Sequence, residues 1–89
     1  MIYIPDLELI RELTNLTYLS LALNRIENIE PLKDLTNLTE LDLSGNQITD
    51  LEPLKELKKL EYLWFSGNPL QKSKIEELKK TLPKTDIRF

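Results

Sequence analysis

Leu35–Glu56 reads LTNLTELDLSGNQITDLEPLKE, and the segment before it, Leu13–Asp34, reads LTNLTYLSLALNRIENIEPLKD. The two share five leucines, a Thr-Asn pair, a later asparagine, Glu-Pro and the following Leu-Lys, position for position at a step of 22 residues. One more step forward places Leu57, Leu60, Leu63, Phe65, Asn68 and Leu70 on the same columns. Repetition at a fixed period of this size is the mark of a solenoid, in which each coil buries its apolar edge against the next.

Each repeat has two halves. In Leu16–Leu21 and Leu38–Leu43, the last two leucines alternate with polar residues at the period of a half-buried strand. Asn24, Asn46 and Asn68 follow, in a turn where a side-chain amide can bond the backbone of its own and the neighbouring coil. The second half carries Glu30-Pro31 and Glu52-Pro53, which suit the first turn of a short helix. Asn28 and Asp50 stand just upstream as turn or cap residues. Residues 1–12 are on register as a half repeat without its strand, with Asp6 predicted to cap a short helix over Leu7–Leu13.

After Asn68 the pattern departs. Ser73-Lys-Ile-Glu76 reads as a capping box opening a longer helix, with Ile75, Leu78 and Leu82 as its apolar stripe and Pro83 as its stop. Leu82, Thr85 and Ile87 fall on the columns of Leu60, Leu63 and Phe65, so Thr85–Phe89 is expected to add a last strand.

The L-x-x-L-x-L-x-x-N-x-I spacing, with I-x-x-I/L-x-P-L after it, resembles leucine-rich repeats of the 22-residue class, as in internalin-type bacterial proteins and phosphatase-regulator relatives. The run from Asn68-Pro69-Leu70 to Ile87-Arg88-Phe89 resembles the C-terminal caps of bacterial members. The resemblance implies an α/β fold. The fold it implies is a short leucine-rich repeat solenoid with a parallel sheet on the concave face, helical turns on the convex face and helical caps at both ends. The expected layout is one domain over 1–89, with an N-terminal cap (1–12), repeats (13–34, 35–56, 57–71) and a C-terminal cap helix and strand (72–89). It further implies a role in binding other proteins through the concave face.

Composition narrows the function. Hydrophobic residues make up 40% and charged residues 30%, as in a folded, soluble chain rather than a disordered one. No apolar run reaches membrane-spanning length, and MIYIPDLELIRE has acids and a proline where a signal peptide has basic residues and an apolar core. An intracellular setting, with the cytoplasm favoured, or a piece of a longer protein is the expectation. The chain has no cysteine and no histidine, which removes thiolate chemistry and the usual general base near neutral pH. The net charge of −3 argues against nucleic acid as a partner. The charge is uneven: three basic and eight acidic residues up to Gly45, nine and seven from Asn46 onward. The later lysines read as the solvated side of the cap helix, with Glu76 paired to Lys80.

Outward strand positions form columns. Tyr18, Glu40 and Tyr62 make one, Ser20, Asp42 and Trp64 the next, and Ala22, Ser44 and Ser66 the third. Large aromatics beside acids on an exposed sheet suit a protein-binding hot spot, so Tyr18, Glu40, Asp42, Tyr62 and Trp64 are the candidate partner-binding residues. The competing reading is cross-strand aromatic packing that only stabilises the sheet. Glu40 and Asp42 do not make a catalytic pair, which needs enclosure, or a calcium site, which needs six to eight oxygens. Asn15 and Asn37 match the glycosylation acceptor pattern, but the repeat template explains both. The expectation is therefore a non-catalytic module that binds a protein or peptide, without cofactor, metal or membrane. It is mostly monomeric, with a weak dimer through free sheet edges. The alternative is a minimal or engineered scaffold with no native ligand.

Overall fold

The computed structural model describes residues 7–89; the expected Asp6 cap lies outside them. Four three-residue strands, β1 (Tyr18–Ser20), β2 (Glu40–Asp42), β3 (Tyr62–Trp64) and β4 (Asp86–Arg88), form one parallel sheet in the order β1-β2-β3-β4. Opposite them run three five-residue 3₁₀ helices, Glu8–Glu12, Glu30–Asp34 and Glu52–Glu56, and then α1 (Lys72–Thr81). Pro31 and Pro53 sit in the first turn of the second and third 3₁₀ helices, where a proline costs no hydrogen bond. Asn28 and Asp50 lead in, each side chain accepting from the backbone N–H of the glutamate two residues on, at 2.9 Å.

The leucine columns stack inward. Leu38, Leu41, Leu43, Ile48, Leu54 and Leu57 are completely buried, and Phe65 takes the position of Leu21 and Leu43 in the third coil. Burial on this scale, at about 25 cal/mol per Å² of apolar surface, is the main force holding the coils together. The strands are knit by bonds such as Leu21 N–H to the Asp42 carbonyl (2.8 Å) and Leu43 N–H to the Trp64 carbonyl (2.7 Å).

The asparagine column closes the turns between coils. Asn46 is 5% exposed. Its Oδ1 accepts from the N–H groups of Asn24 (3.0 Å) and Ile26 (2.9 Å), and its Nδ2 donates to the carbonyls of Leu21 (3.0 Å) and Leu43 (2.9 Å). Asn68 repeats this one coil later, accepting from Ile48 and donating to Leu43 and Phe65. In the same turns Gly45 and Gly67 have φ of 71° and 74°, and the first coil has Leu23 at 61° in the equivalent place. A left-handed leucine is strained by about 1 kcal/mol or more. Leu23 is also 57% exposed, so little packing opposes its removal. Leu23→Gly is therefore expected to stabilise the fold by about 0.5–1 kcal/mol, net of the extra freedom glycine gives the unfolded chain. Urea denaturation tests this, and a lower midpoint in the variant would contradict it.

Three details of the C-terminal end differ from expectation. Helix α1 begins at Lys72 behind Gln71 with no side-chain cap, so Ser73 lies inside the first turn and the capping box does not form. Glu76 meets Lys79 at 3.9 Å rather than Lys80, and Lys79 also stands 4.6 Å over the Phe89 ring. The last strand is Asp86–Arg88, and Ile87 pairs with Leu63 rather than Phe65. The connection through α1 is two residues longer than the 22-residue step. A shift of two keeps the same faces inward and outward, which is why the sheet absorbs it.

Surface ion pairs tie neighbouring coils on the helical side. Arg11 reaches Glu8, Glu30 and Asp34, and Lys55 bridges Glu52 (2.8 Å) and Glu77 of α1 (2.6 Å). Lys33 and Arg11 hold the Glu30 carboxyl below its ordinary range, and Lys55 does the same to Glu77. Carboxyls with lowered pKa in the folded state contribute stability above their unfolded value of about 4.3, and that contribution is lost as pH falls through the folded value. The pairs are exposed and their effect modest. The thermal midpoint should hold steady down to about pH 5 and decline below about pH 4.3, less steeply in Lys55→Gln. A midpoint unchanged down to about pH 3 would contradict this. Among the described residues no helix is long and apolar enough to cross a membrane.

Candidate functional site

The inward leucine of each strand, Leu19, Leu41, Leu63 or Ile87, forces its two neighbours to face away from the core. The parallel register then sets these outward residues side by side. Tyr18 pairs with Glu40, Glu40 with Tyr62 and Tyr62 with Asp86; Ser20 pairs with Asp42, Asp42 with Trp64 and Trp64 with Arg88. All five candidate residues therefore share one face. Tyr18 and Tyr62 stand two strand spacings apart, roughly 10 Å, on either side of Glu40.

Tyr18 is 57% and Tyr62 42% exposed, while Trp64, Glu40 and Asp42 are half-buried. The rings of Tyr62 and Trp64 stack with centroids 5.9 Å apart and planes 16° from parallel. This contact runs along β3, not across strands, so the rings do not serve as a cross-strand clamp. Tyr18 joins no ring pair among the described residues. The result is an aromatic wall on β3, a lone tyrosine on β1 and two carboxylates on β2 between them.

Asp86 and Arg88 complete the face and were not among the candidates. The Arg88 guanidinium holds both oxygens of Asp86, Nε to Oδ1 at 2.8 Å and Nη2 to Oδ2 at 3.0 Å. It keeps the Asp86 carboxyl below the usual range, and Asp86 in turn raises Arg88. Their alternation with Ile87 already marks them as outward; the lengthened last connection hid which column they join. Asp42 Oδ1 accepts from the Ser44 backbone N–H at 3.0 Å, which steadies its carboxylate. No basic side chain among the described residues pairs with Glu40 or Asp42.

Other surface features offer less. A groove of about 460 Å³ on the helical side is lined by five carboxylates together with Asn28, Ile29, Lys33 and Pro53, and of the carboxylates Glu30 and Glu52 are already bonded to Lys33, Arg11 and Lys55. Asn37, one of the two glycosylation-type asparagines, donates from its amide to the Thr14 carbonyl (2.9 Å) and accepts from Lys59 (2.9 Å), a bond between coils. Among the described residues no group of three or more acids is placed to hold a metal ion.

Comparison with known proteins agrees with the repeat fold. A family model described as leucine-rich repeats (2 copies) matches residues 14–56 and again residues 36–80. Internalin C2 of Listeria monocytogenes superposes with a TM-score of 0.85 at 30% identity, covering 94% of this chain and 36% of that one. A leucine-rich repeat protein of Leptospira interrogans gives 0.83 at 32% identity, over 98% of this chain and 22% of that one. The Chaetomium Mex67:Mtr2 subunits give 0.64 at 30%, over 82% and 53%. The chain thus spans between about a fifth and a half of the length of these structures. No curated relative matches at the sequence level.

Proposed function

Because the chain belongs to the leucine-rich repeat family, we propose that it is a non-catalytic module that binds a protein or peptide on its concave sheet. The coils and both flanking segments act as one unit in this reading. The observation that carries it is the gathering of Tyr18, Tyr62 and Trp64, exposed or half-buried, around two carboxylates on the one face that the coils present in register. Aromatic side chains bring large contact area at low entropic cost, and a few such residues dominate most interfaces. The chain has no histidine or cysteine, and among the described residues the open sheet brings no nucleophile, base and enclosed pocket together, which favours binding over catalysis.

Selection of a displayed random peptide library on the purified protein supplies ligands for a test. The paired change Tyr62→Ala with Trp64→Ala should weaken a selected ligand by about thirty-fold or more, the level of a hot spot. The thermal midpoint should stay near that of the parent, because both rings are partly exposed. Undiminished affinity in a folded double variant would reject the concave face as the binding surface. A second reading is favoured by the regularity of 13–34 and 35–56, identical at 13 of 22 positions: a minimal or engineered structural scaffold with no native ligand. Repeated selections that enrich nothing would favour it.

A further inference from the structure

The outward positions of the four strands carry three carboxylates, Glu40, Asp42 and Asp86, against one guanidinium, Arg88. That guanidinium is paired with Asp86 through Nε and Nη2. Glu40 and Asp42 sit on adjacent outward positions of β2, between the exposed ring of Tyr18 and the stacked rings of Tyr62 and Trp64, without a paired cation among the described residues. Two uncompensated carboxylates walled by aromatic faces attract one class of group above others. A lysine ammonium or arginine guanidinium can meet a carboxylate with its N–H donors and an aromatic ring with its charge. An acidic segment would be repelled, and a purely apolar one would leave both carboxylates desolvated and unpaired.

We infer that the concave face selects a basic segment, a peptide or protein stretch that places an arginine or lysine over Glu40 and Asp42 between Tyr18 and the Tyr62–Trp64 wall. This rests on the concave-face reading and gives it a ligand class. Tyr18 and the β3 rings hold the side chain from two sides, while the carboxylates of β2 supply the charge and the donors' partners. Asp86, tied to Arg88, contributes field and no direct contact.

Trp64 is the chain's one tryptophan, so its fluorescence reports on this face alone. Three blocked hexapeptides, hexa-arginine, hexaglutamate and hexaserine, are titrated against the protein and against the pair Glu40→Gln with Asp42→Asn. The asparagine keeps the Oδ1 that accepts from Ser44, so the strand end is preserved. The expected result is a saturable change in Trp64 emission with hexa-arginine only, weakened about ten-fold or more in the charge variant and by added salt. Equal response of the charge variant, response to hexaglutamate or hexaserine, or no response to any peptide would overturn the inference. So would a shift in emission with protein concentration alone, which would place a second copy on the face. Failure of the wider reading looks different: peptides from the random library would then bind independently of Tyr62 and Trp64. Library ligands that depend on those rings yet lack arginine and lysine would overturn the basic-ligand inference and leave the concave surface standing.

Discussion

Asn46→Ala is expected to destabilise the protein by about 3–5 kcal/mol, a large fraction of what a domain of this size possesses. The side chain satisfies two N–H groups and two carbonyls, distributed between its own coil and the one before it. Alanine removes all of these bonds in a place that is 5% exposed, and the Leu43 carbonyl keeps Asn68 Nδ2 as its other donor. Each unpaired buried backbone group costs about 1–3 kcal/mol, reduced where the chain relaxes or water enters. Asn46→Asp keeps the acceptor but loses both donations and introduces a charge, so it should do no better than alanine. Asn68→Ala should cost less, since Asn68 is more exposed and its Oδ1 takes one backbone N–H in place of two. Denaturant titration gives the order, and hydrogen exchange gives the mechanism: the Asn24 and Ile26 amides should lose protection first. Equal stability of Asn46→Ala and the parent would mean that these turns are held by something other than the amide ladder.

Leu41→Ala is the second large effect. Leu41 is completely buried in the middle of the sheet, in register between Leu19 and Leu63. Its truncation combines lost transfer energy with a cavity that both neighbouring coils are too regular to collapse around, for about 3–4 kcal/mol within the usual 2–5 range. At about 4–8 °C per kcal/mol for a domain of this size, the thermal midpoint should fall by more than about 10 °C. Leu19→Ala, one strand toward the open edge where the residue is half-buried, should cost clearly less. If the two variants were equally stable, the coils would not be sharing a common leucine stack.

The site was legible in the sequence because the coils keep one period. Tyr18, Glu40 and Tyr62 stand 22 residues apart, and a parallel sheet with identical crossovers has to set them side by side. The same logic failed at β4. Its crossover contains α1 in place of a five-residue 3₁₀ turn, and a connection of different shape no longer shares the period. Asp86 and Arg88 therefore entered the face through tertiary pairing with β3, and their ion pair was not readable beforehand. The capping box at Ser73 failed for a related reason. A sequence can contain both partners of a cap, but the helix starts where Ile75 and Leu78 reach the core, and that set the first turn two residues earlier, with Gln71 rather than Ser73 at the N-cap.

By itself the sequence determined what repeats: inward leucines, tight turns closed by asparagine, and outward columns of tyrosine, acid and tryptophan. These follow from period and side-chain chemistry, which each coil carries within its own residues. Only the tertiary structure decided what happens where the repeat stops. It set the two-residue shift of the last strand, left Leu13 half exposed where Leu35 and Leu57 are fully buried, and engaged Arg88 with Asp86 rather than with Glu40 or Asp42. At an end each coil has one neighbour instead of two, and which surfaces it then buries depends on the packing of the whole chain.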